Sequence, residues 1–265
     1  MRPRISFNGV MVLAALAVAG GRAEGPVTVS VPAGDYAPLL RSRDAPETMP
    51  VAAFRADVHP VTNAEYLEFV RANPRWRRSN VSRLFADEQY LAQWKGDLEP
   101  GPFADPDAPV VRISWFAARA YAAAREGALP TIAQWERMAA VGIGRSVARD
   151  DPLVQQLIGE WFARPTPDRL PSVKRGRPNQ LGVHDLFGLV WEWVDDFNTA
   201  LVTGESRADP GLERNLFCGA GSIGARDKTD YAAFMRAGYR SSLRAAYCVP
   251  NLGFRCVYPI SNHEN

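Results

Sequence analysis

The chain has 265 residues, 46 % of them hydrophobic and 23 % charged, with 21 Gly, 21 Pro and seven Trp. That is enough to bury a sizeable core, in a chain rich in turns and aromatic packing. The formal charge is only +2, and three of the basic residues (Arg2, Arg4, Arg22) sit in an N-terminal leader. Without them the net charge is −1, so nucleic-acid binding through a basic surface is excluded as the main function.

The leader pairs Arg2 and Arg4 with an apolar run from Val10 to Ala19 and small residues up to Ala23. This is the pattern of a secretory signal peptide over 1–23, too short to span a bilayer. It predicts a periplasmic or secreted protein with no stable membrane anchor. Three cysteines, Cys218, Cys248 and Cys256, allow at most one internal disulfide and leave one thiol over.

From Pro26, alternating Val27, Val29 and Val31 predict a strand that ends in Pro-Ala-Gly-Asp. Residues 41–50 read as a loop and 51–58 as a second strand. Thr62 or Asn63 then caps a helix through Ala72 that buries Tyr66, Phe69 and Val70. Residues 73–101 are rich in Arg and Trp, and Trp76, Arg77 and Arg78 are candidates for a binding rim. Val110–Ser114 reads as a strand, with Ser114 capping a helix to Arg125 that is apolar at Ala117, Ala118, Tyr121 and Ala122. Thr131 caps a third helix, 132–141, with Trp135 on its buried side. Residues 145–180 and 198–213 read as loops, and 251–258 as a closing strand.

Between those loops lies the densest stretch, Leu181–Phe197, with two Trp, two Phe and four acidic residues in 17 positions. Neither a helical nor a strand period accounts for all of it. Asp185, Gly188 and Glu192 are close enough along the chain to wrap a hard cation, with backbone carbonyls completing the shell. Short strands, a few helices and long irregular connections define an α+β chain low in regular structure.

Several motifs follow one another in a recognisable order. They are Val31-Pro-Ala-Gly-Asp-Tyr, Val61-Thr-Asn-Ala-Glu-Tyr, Pro109-Val-Val-Arg-Ile-Ser-Trp and Leu129-Pro-Thr-Ile-Ala-Gln-Trp-Glu. Gly182-Val-His-Asp-Leu-Phe-Gly-Leu-Val-Trp-Glu-Trp, Gly219-Ala-Gly-Ser and Asn251-Leu-Gly-Phe-Arg-Cys complete the series. Together they resemble the formylglycine-generating enzyme family, the sulfatase-modifying-factor domain. The resemblance spans about Pro26 to Pro259, as one domain over 26–259. It implies a fold related to C-type lectins. Its authentic members oxidise a sulfatase cysteine to formylglycine with O2 and a copper ion held by two cysteines.

In the family those cysteines follow the motif that here is Gly219-Ala-Gly-Ser222. Gly224 to Tyr247 contains none, and Cys248 falls in the closing region. Copper(I) prefers thiolates that other residues do not replace, so a copper site and formylglycine generation are not expected. The family cysteine matching Cys256 usually bonds one in the helix after Ser-Trp, where this chain has Ala122 or a neighbour. The resemblance thus leaves Cys256 to pair with Cys248 or Cys218 or to stay free, and one disulfide involving Cys248 is expected. Iron fares no better. His59, His184 and His263 are far apart in sequence without metal-ligand spacing, and His184 reads as a turn residue. Ser222, His184 and Asp185 lack the strand–turn–helix context of a nucleophilic serine.

The resemblance implies a calcium site through Asp185 and Glu192, with the carbonyls of Gly188 and Val190. The tail Phe217-Cys-Gly-Ala-Gly, with Asp230-Tyr-Ala-Ala-Phe-Met-Arg, resembles secreted members linked with nitrite reductase. Trp191 and Ser222 match groove positions of the family, and Arg236 and Arg240 add charge nearby. These four are the candidate groove for a peptide or protein client, in an accessory or maturation factor. The alternative is a modifying oxidase of different chemistry, like the siderophore-maturing branch.

Overall fold

The computed structural model describes residues 27–39, 46–198 and 230–260. Its largest sheet has three antiparallel strands. β4 (Phe54–Asp57) lies between β1 (Thr28–Val31) and β7 (Val257–Pro259). The register pairs Thr28 with Asp57 and Val31 with Phe54, then Phe54 with Pro259. The ends of the domain therefore meet at one central strand. β2 (Gly34–Tyr36) and β3 (Met49–Val51) form a second antiparallel pair. β5 (Trp191–Glu192) and β6 (Leu252–Gly253) form a two-residue parallel pair.

The helices begin where the capping residues place them. Thr62 accepts from the Glu65 N–H while Glu65 accepts from the Thr62 N–H, a reciprocal box that starts α1 (Asn63–Ala72). Ser114 caps α2 (Trp115–Ala124), and Thr131 with Gln134 repeats the box at α3 (Ile132–Ala139). Each such cap contributes about 1 kcal/mol. The expected faces are the buried ones: Tyr66, Phe69 and Val70 on α1, and Ala117, Ala118, Tyr121 and Ala122 on α2. Tyr66 stacks on Tyr121 and meets Phe254 edge-on, which joins both helices to the closing segment.

Two expectations need correction. Residues 110–114 are buried at Val110, Val111 and Ile113 but form no ladder; only Pro109 bridges to Thr62. Their backbone groups pair singly instead, as when the Arg112 N–H donates to Val249 O. The stretch 145–180 is not all loop: Asp151 caps α4 (Pro152–Phe162), with proline in the first turn. α5 covers Tyr231–Ser242, and the loop expected over 198–213 lies, beyond residue 198, outside the described residues.

Irregular segments are held by side chains that satisfy distant backbone groups. Trp193 Nε1 donates to Ile113 O at 2.9 Å, and Trp115 Nε1 to Val194 O at 3.1 Å. Asn63 donates to Asp105 O and Ala108 O and accepts from Trp94 Nε1. These bonds satisfy backbone groups in described segments that lie outside the ladders.

The expected disulfide is absent, because Cys248 and Cys256 are both buried free thiols. Cys256 lies near Tyr121 of α2, where the neighbouring position is Ala122 and offers no sulfur. Cys248 donates to Ala246 O instead. Burial pushes both thiols far above the ordinary range, so neither carries a thiolate at neutral pH. Cys218 lies outside the described residues.

Candidate functional site

Three of the four groove candidates converge. Trp191, Arg236 and Arg240 line one small recess with Trp135, Trp161, Tyr239, Leu186, Val190 and Glu192. Ser222 lies outside the described residues. Trp76, Arg77 and Arg78, the other candidate rim, do not join them. Trp76 is buried, Arg75 lies over its ring, and Arg78 is tied to Trp94 O.

One wall of the recess is an aromatic stack. Trp191 lies 4.5 Å from Tyr239, nearly parallel at 19°. On its other contacts it meets Trp161 at 4.7 Å and Phe162 at 5.9 Å. β5 supplies Trp191, α5 supplies Tyr239, and the unanticipated α4 supplies Trp161 and Phe162. The α4 residues were discoverable, since Val154, Ile158 and Trp161 fall at helical spacing after an Asp-Pro start.

The floor holds an ionic cluster. Glu136 on α3 accepts from Arg236 Nε at 2.9 Å, Arg236 Nη2 at 2.7 Å and Arg240 Nη1 at 2.7 Å. Both guanidiniums lie over Trp135, at 5.5 and 4.9 Å from the ring centre, and Arg236 also over Phe187. Burial alone would raise the Glu136 carboxyl, but the two arginines outweigh it and hold the group at about 2. Tyr36 is pushed up to about 12 by burial and then by Glu136, with the arginines pulling the other way. It stays a neutral phenol at physiological pH. Glu136 was quoted in the motif Gln-Trp-Glu without a role; its partners are a hundred residues away in sequence, which no spacing reveals.

Trp135 joins this cluster to a second one. Its Nε1 donates to Glu192 Oε2 at 2.8 Å. Glu192 is also gripped through both oxygens by Arg255, with Nε at 2.8 Å and Nη2 at 2.7 Å. Neither side chain of this pair is exposed. Arg255 further donates to His184 O and Asp57 O, which ties the Leu181–Phe197 stretch to β4. Arg255 was missed as a site residue, although a charge inside Phe254-Arg255-Cys256 is itself a signal for a buried partner.

The proposed cation ligands occupy one turn leading into β5. Asp185 at φ 58° and Gly188 at φ 91° both adopt the left-handed conformation, which bends the chain tightly there. Asp185 Oδ2 accepts from the Lys174 N–H at 2.6 Å. His184, in the same turn, bonds Gly176 O through Nδ1. Asp185 and the two carbonyls suit a hard cation. Glu192 fits less well, because its charge is already matched by Arg255 and a cation would have to share its oxygens. Among the described residues no three His, Cys, Asp or Glu side chains gather as a metal site.

The fold and the order of these motifs fit one class of protein, and the comparisons agree. The chain belongs to the sulfatase-modifying factor enzyme 1-like domain family, whose model matches residues 14–260. The formylglycine-generating enzyme of Streptomyces coelicolor is 30 % identical over 79 % of this chain and 79 % of its own length. The mouse protein named inactive C-alpha-formylglycine-generating enzyme 2 is 28 % identical over 89 % of this chain and 87 % of its own. Among solved structures, PvdO from Pseudomonas aeruginosa covers 89 % of this chain and 95 % of its own, with 17 % identity and a TM-score of 0.49.

Proposed function

We propose that this domain is a secreted or periplasmic accessory factor that binds a peptide or protein client at the Trp191 recess, without formylglycine chemistry. The observation that carries this reading is the composition of the recess. Its described lining comprises stacked aromatics, two arginines, two aliphatic residues and one fully paired carboxylate. Such a surface supplies contact area and charge for binding. Covalent or acid–base catalysis needs an activated nucleophile or an unpaired base. In the described lining Glu192 is paired, and the Tyr239 phenol donates to Asn251 Oδ1 and is pushed up by burial. Support also comes from the relative whose name marks it as inactive, and from the sequence Gly224 to Tyr247, which has no cysteine.

Calcium belongs to the proposal as a structural ion, held by Asp185 and the carbonyls of Gly188 and Val190, with Glu192 sharing an oxygen. When bound it would fix the turn that presents Trp191.

The test has two arms. The purified chain is incubated with copper, O2 and a Cys-x-Pro-x-Arg peptide, and the peptide mass is followed. An unchanged mass is expected, and a loss corresponding to aldehyde formation would overturn the reading. In the second arm, peptides selected on the immobilised chain are offered to Trp191→Ala. Binding should be lost; retained binding would move the client elsewhere. Sequencing the N-terminus of envelope-fraction protein checks cleavage after Ala23.

A further inference from the structure

Counting charge against partners around Trp135 leaves a surplus. Glu192 and Arg255 form one acid–base pair, closed to solvent. Glu136 faces two guanidiniums, Arg236 and Arg240, whose side chains are only 9 % and 8 % exposed. Asp230 also acts on Arg236 from the start of α5, without a hydrogen bond to it, while its Oδ1 caps that helix through the Ala233 N–H. Two nearly buried guanidiniums therefore share a single contacting carboxylate.

The unmatched donors are identifiable. Arg240 uses Nη1 on Glu136, while its Nε and Nη2 meet no acceptor among the described residues. Arg236 uses Nε and Nη2 and leaves Nη1. Both side chains line the recess, and none of these free donors is sealed from solvent. The Trp135 face offsets part of the charge but accepts none of these hydrogen bonds. Aromatic walls alone would favour a cation; the surplus guanidinium reverses that preference.

We infer that the recess is a carboxylate-binding subsite, with Arg240 as its principal donor and the Trp191–Tyr239 stack as a flat wall beside the bound group. The carboxylate comes from a client's acidic side chain or its C-terminus. A planar carboxylate matches the guanidinium fork, and charge-assisted hydrogen bonds in a nearly dry site are the strong kind. This inference rests on the recess being the client-binding surface, and the test separates the two.

Sodium propionate is titrated into the full chain against the neutral isostere propionamide. The readout is the Arg240 Nε–Hε NMR signal, assigned by its absence from Arg240→Gln. Propionate should shift that signal saturably and propionamide should not. Equal or absent responses to the two would overturn the subsite. Three tripeptides with a common N-acetylated Trp-Ala stem then identify the source: an amidated Glu, an amidated Gln, and a free C-terminal Ala. An acid-bearing peptide should bind about tenfold tighter than the Gln peptide. That preference should vanish in Arg240→Gln and persist in part in Arg240→Lys, which keeps the charge if the Gln variant folds poorly. Propionate binding without any peptide binding upholds the subsite and sinks the client reading. Peptide binding that ignores both Glu-versus-Gln and Arg240 sinks the subsite and leaves the client reading standing.

Discussion

The two ionic clusters beside Trp135 use the same residue types and do opposite things. Glu192 and Arg255 are matched one to one, closed to solvent, and connected onward to His184 O and Asp57 O. Glu136 is outnumbered by Arg236 and Arg240 and lies next to an opening. The first arrangement leaves nothing to offer a ligand and everything to lose if one partner goes. The second leaves guanidinium donors without a protein acceptor among the described residues, the feature on which the proposed subsite rests. One indole serves both, giving its N–H to Glu192 and its face to the arginines. A mutation at Trp135 would therefore confuse the two, and the comparison is best broken at the charged residues.

The largest effect is expected at the closed pair. Arg255→Met leaves Glu192 buried without its partner, which costs about 3–5 kcal/mol. Urea denaturation should show this as a large fall in midpoint. A double variant, Arg255→Met with Glu192→Leu, should recover a good part of the loss, since replacing both charges removes the unpaired one. If the single variant loses under about 1 kcal/mol, the pair is not the sealed structural element described here.

The open cluster should respond to acid. Glu136 is held at about 2 in the folded protein, against an ordinary glutamate value of 4.5. Because the folded value is the lower one, the group's stabilisation is complete above pH 4.5 and disappears as pH falls towards 2. At neutral pH it amounts to about 3 kcal/mol by linkage. Stability measured between pH 5 and 2 should fall less steeply in Glu136→Gln than in the parent, because the variant has already lost this contribution. Parallel curves would show that Glu136 does not report the cluster.

Trp191 sharpens the distinction between binding and stability. It is only partly buried, and its stack with Tyr239 and Trp161 is at the surface of the core. Trp191→Ala should cost about 1–2 kcal/mol, well below the Arg255 effect, while client binding falls further than stability does. Proportional losses in both would make the stack a structural feature alone.

What the sequence disclosed follows the range of the interactions involved. Thr62, Ser114 and Thr131 act within three residues of their partners, and their capping roles were legible. So were the buried faces of α1 and α2, because a helical period is a local signal. Helix α4 was obscured by its Pro- and Arg-rich flanks, although its own apolar spacing was regular. The strand expected at Val110–Ser114 failed because burial was read as pairing; those residues bury their side chains without a neighbouring strand. The recess was half legible. Resemblance pointed to Trp191, and charge to Arg236 and Arg240, but the partner that gives the arginines their geometry, Glu136, lies 104 residues from Arg240. The closed pair spans 63 residues and escaped for the same reason. Side-chain contacts at such range are set by the fold, not by local composition.

The smallest expected effect concerns the turn before β5, and it tests the closed cluster from the other side. If calcium binds there, Glu192 contributes an oxygen whose charge Arg255 has already balanced. Affinity then depends chiefly on Asp185, the one proposed side-chain ligand outside that pair. Moving from a chelator to calcium at about ten times its dissociation constant should stabilise the chain by about 1 kcal/mol, or ~2–4 °C in Tm for a domain of this size. Asp185→Ala should abolish that difference, and its chelated Tm should fall below the parent's because Ala loses the Lys174 hydrogen bond and is disfavoured at the left-handed φ. A calcium shift of the same size in Asp185→Ala would place the ion elsewhere. A much larger shift in the parent at the same ratio of calcium to its dissociation constant would mean that more than one ion binds, because a single site fixes the stabilisation at that ratio.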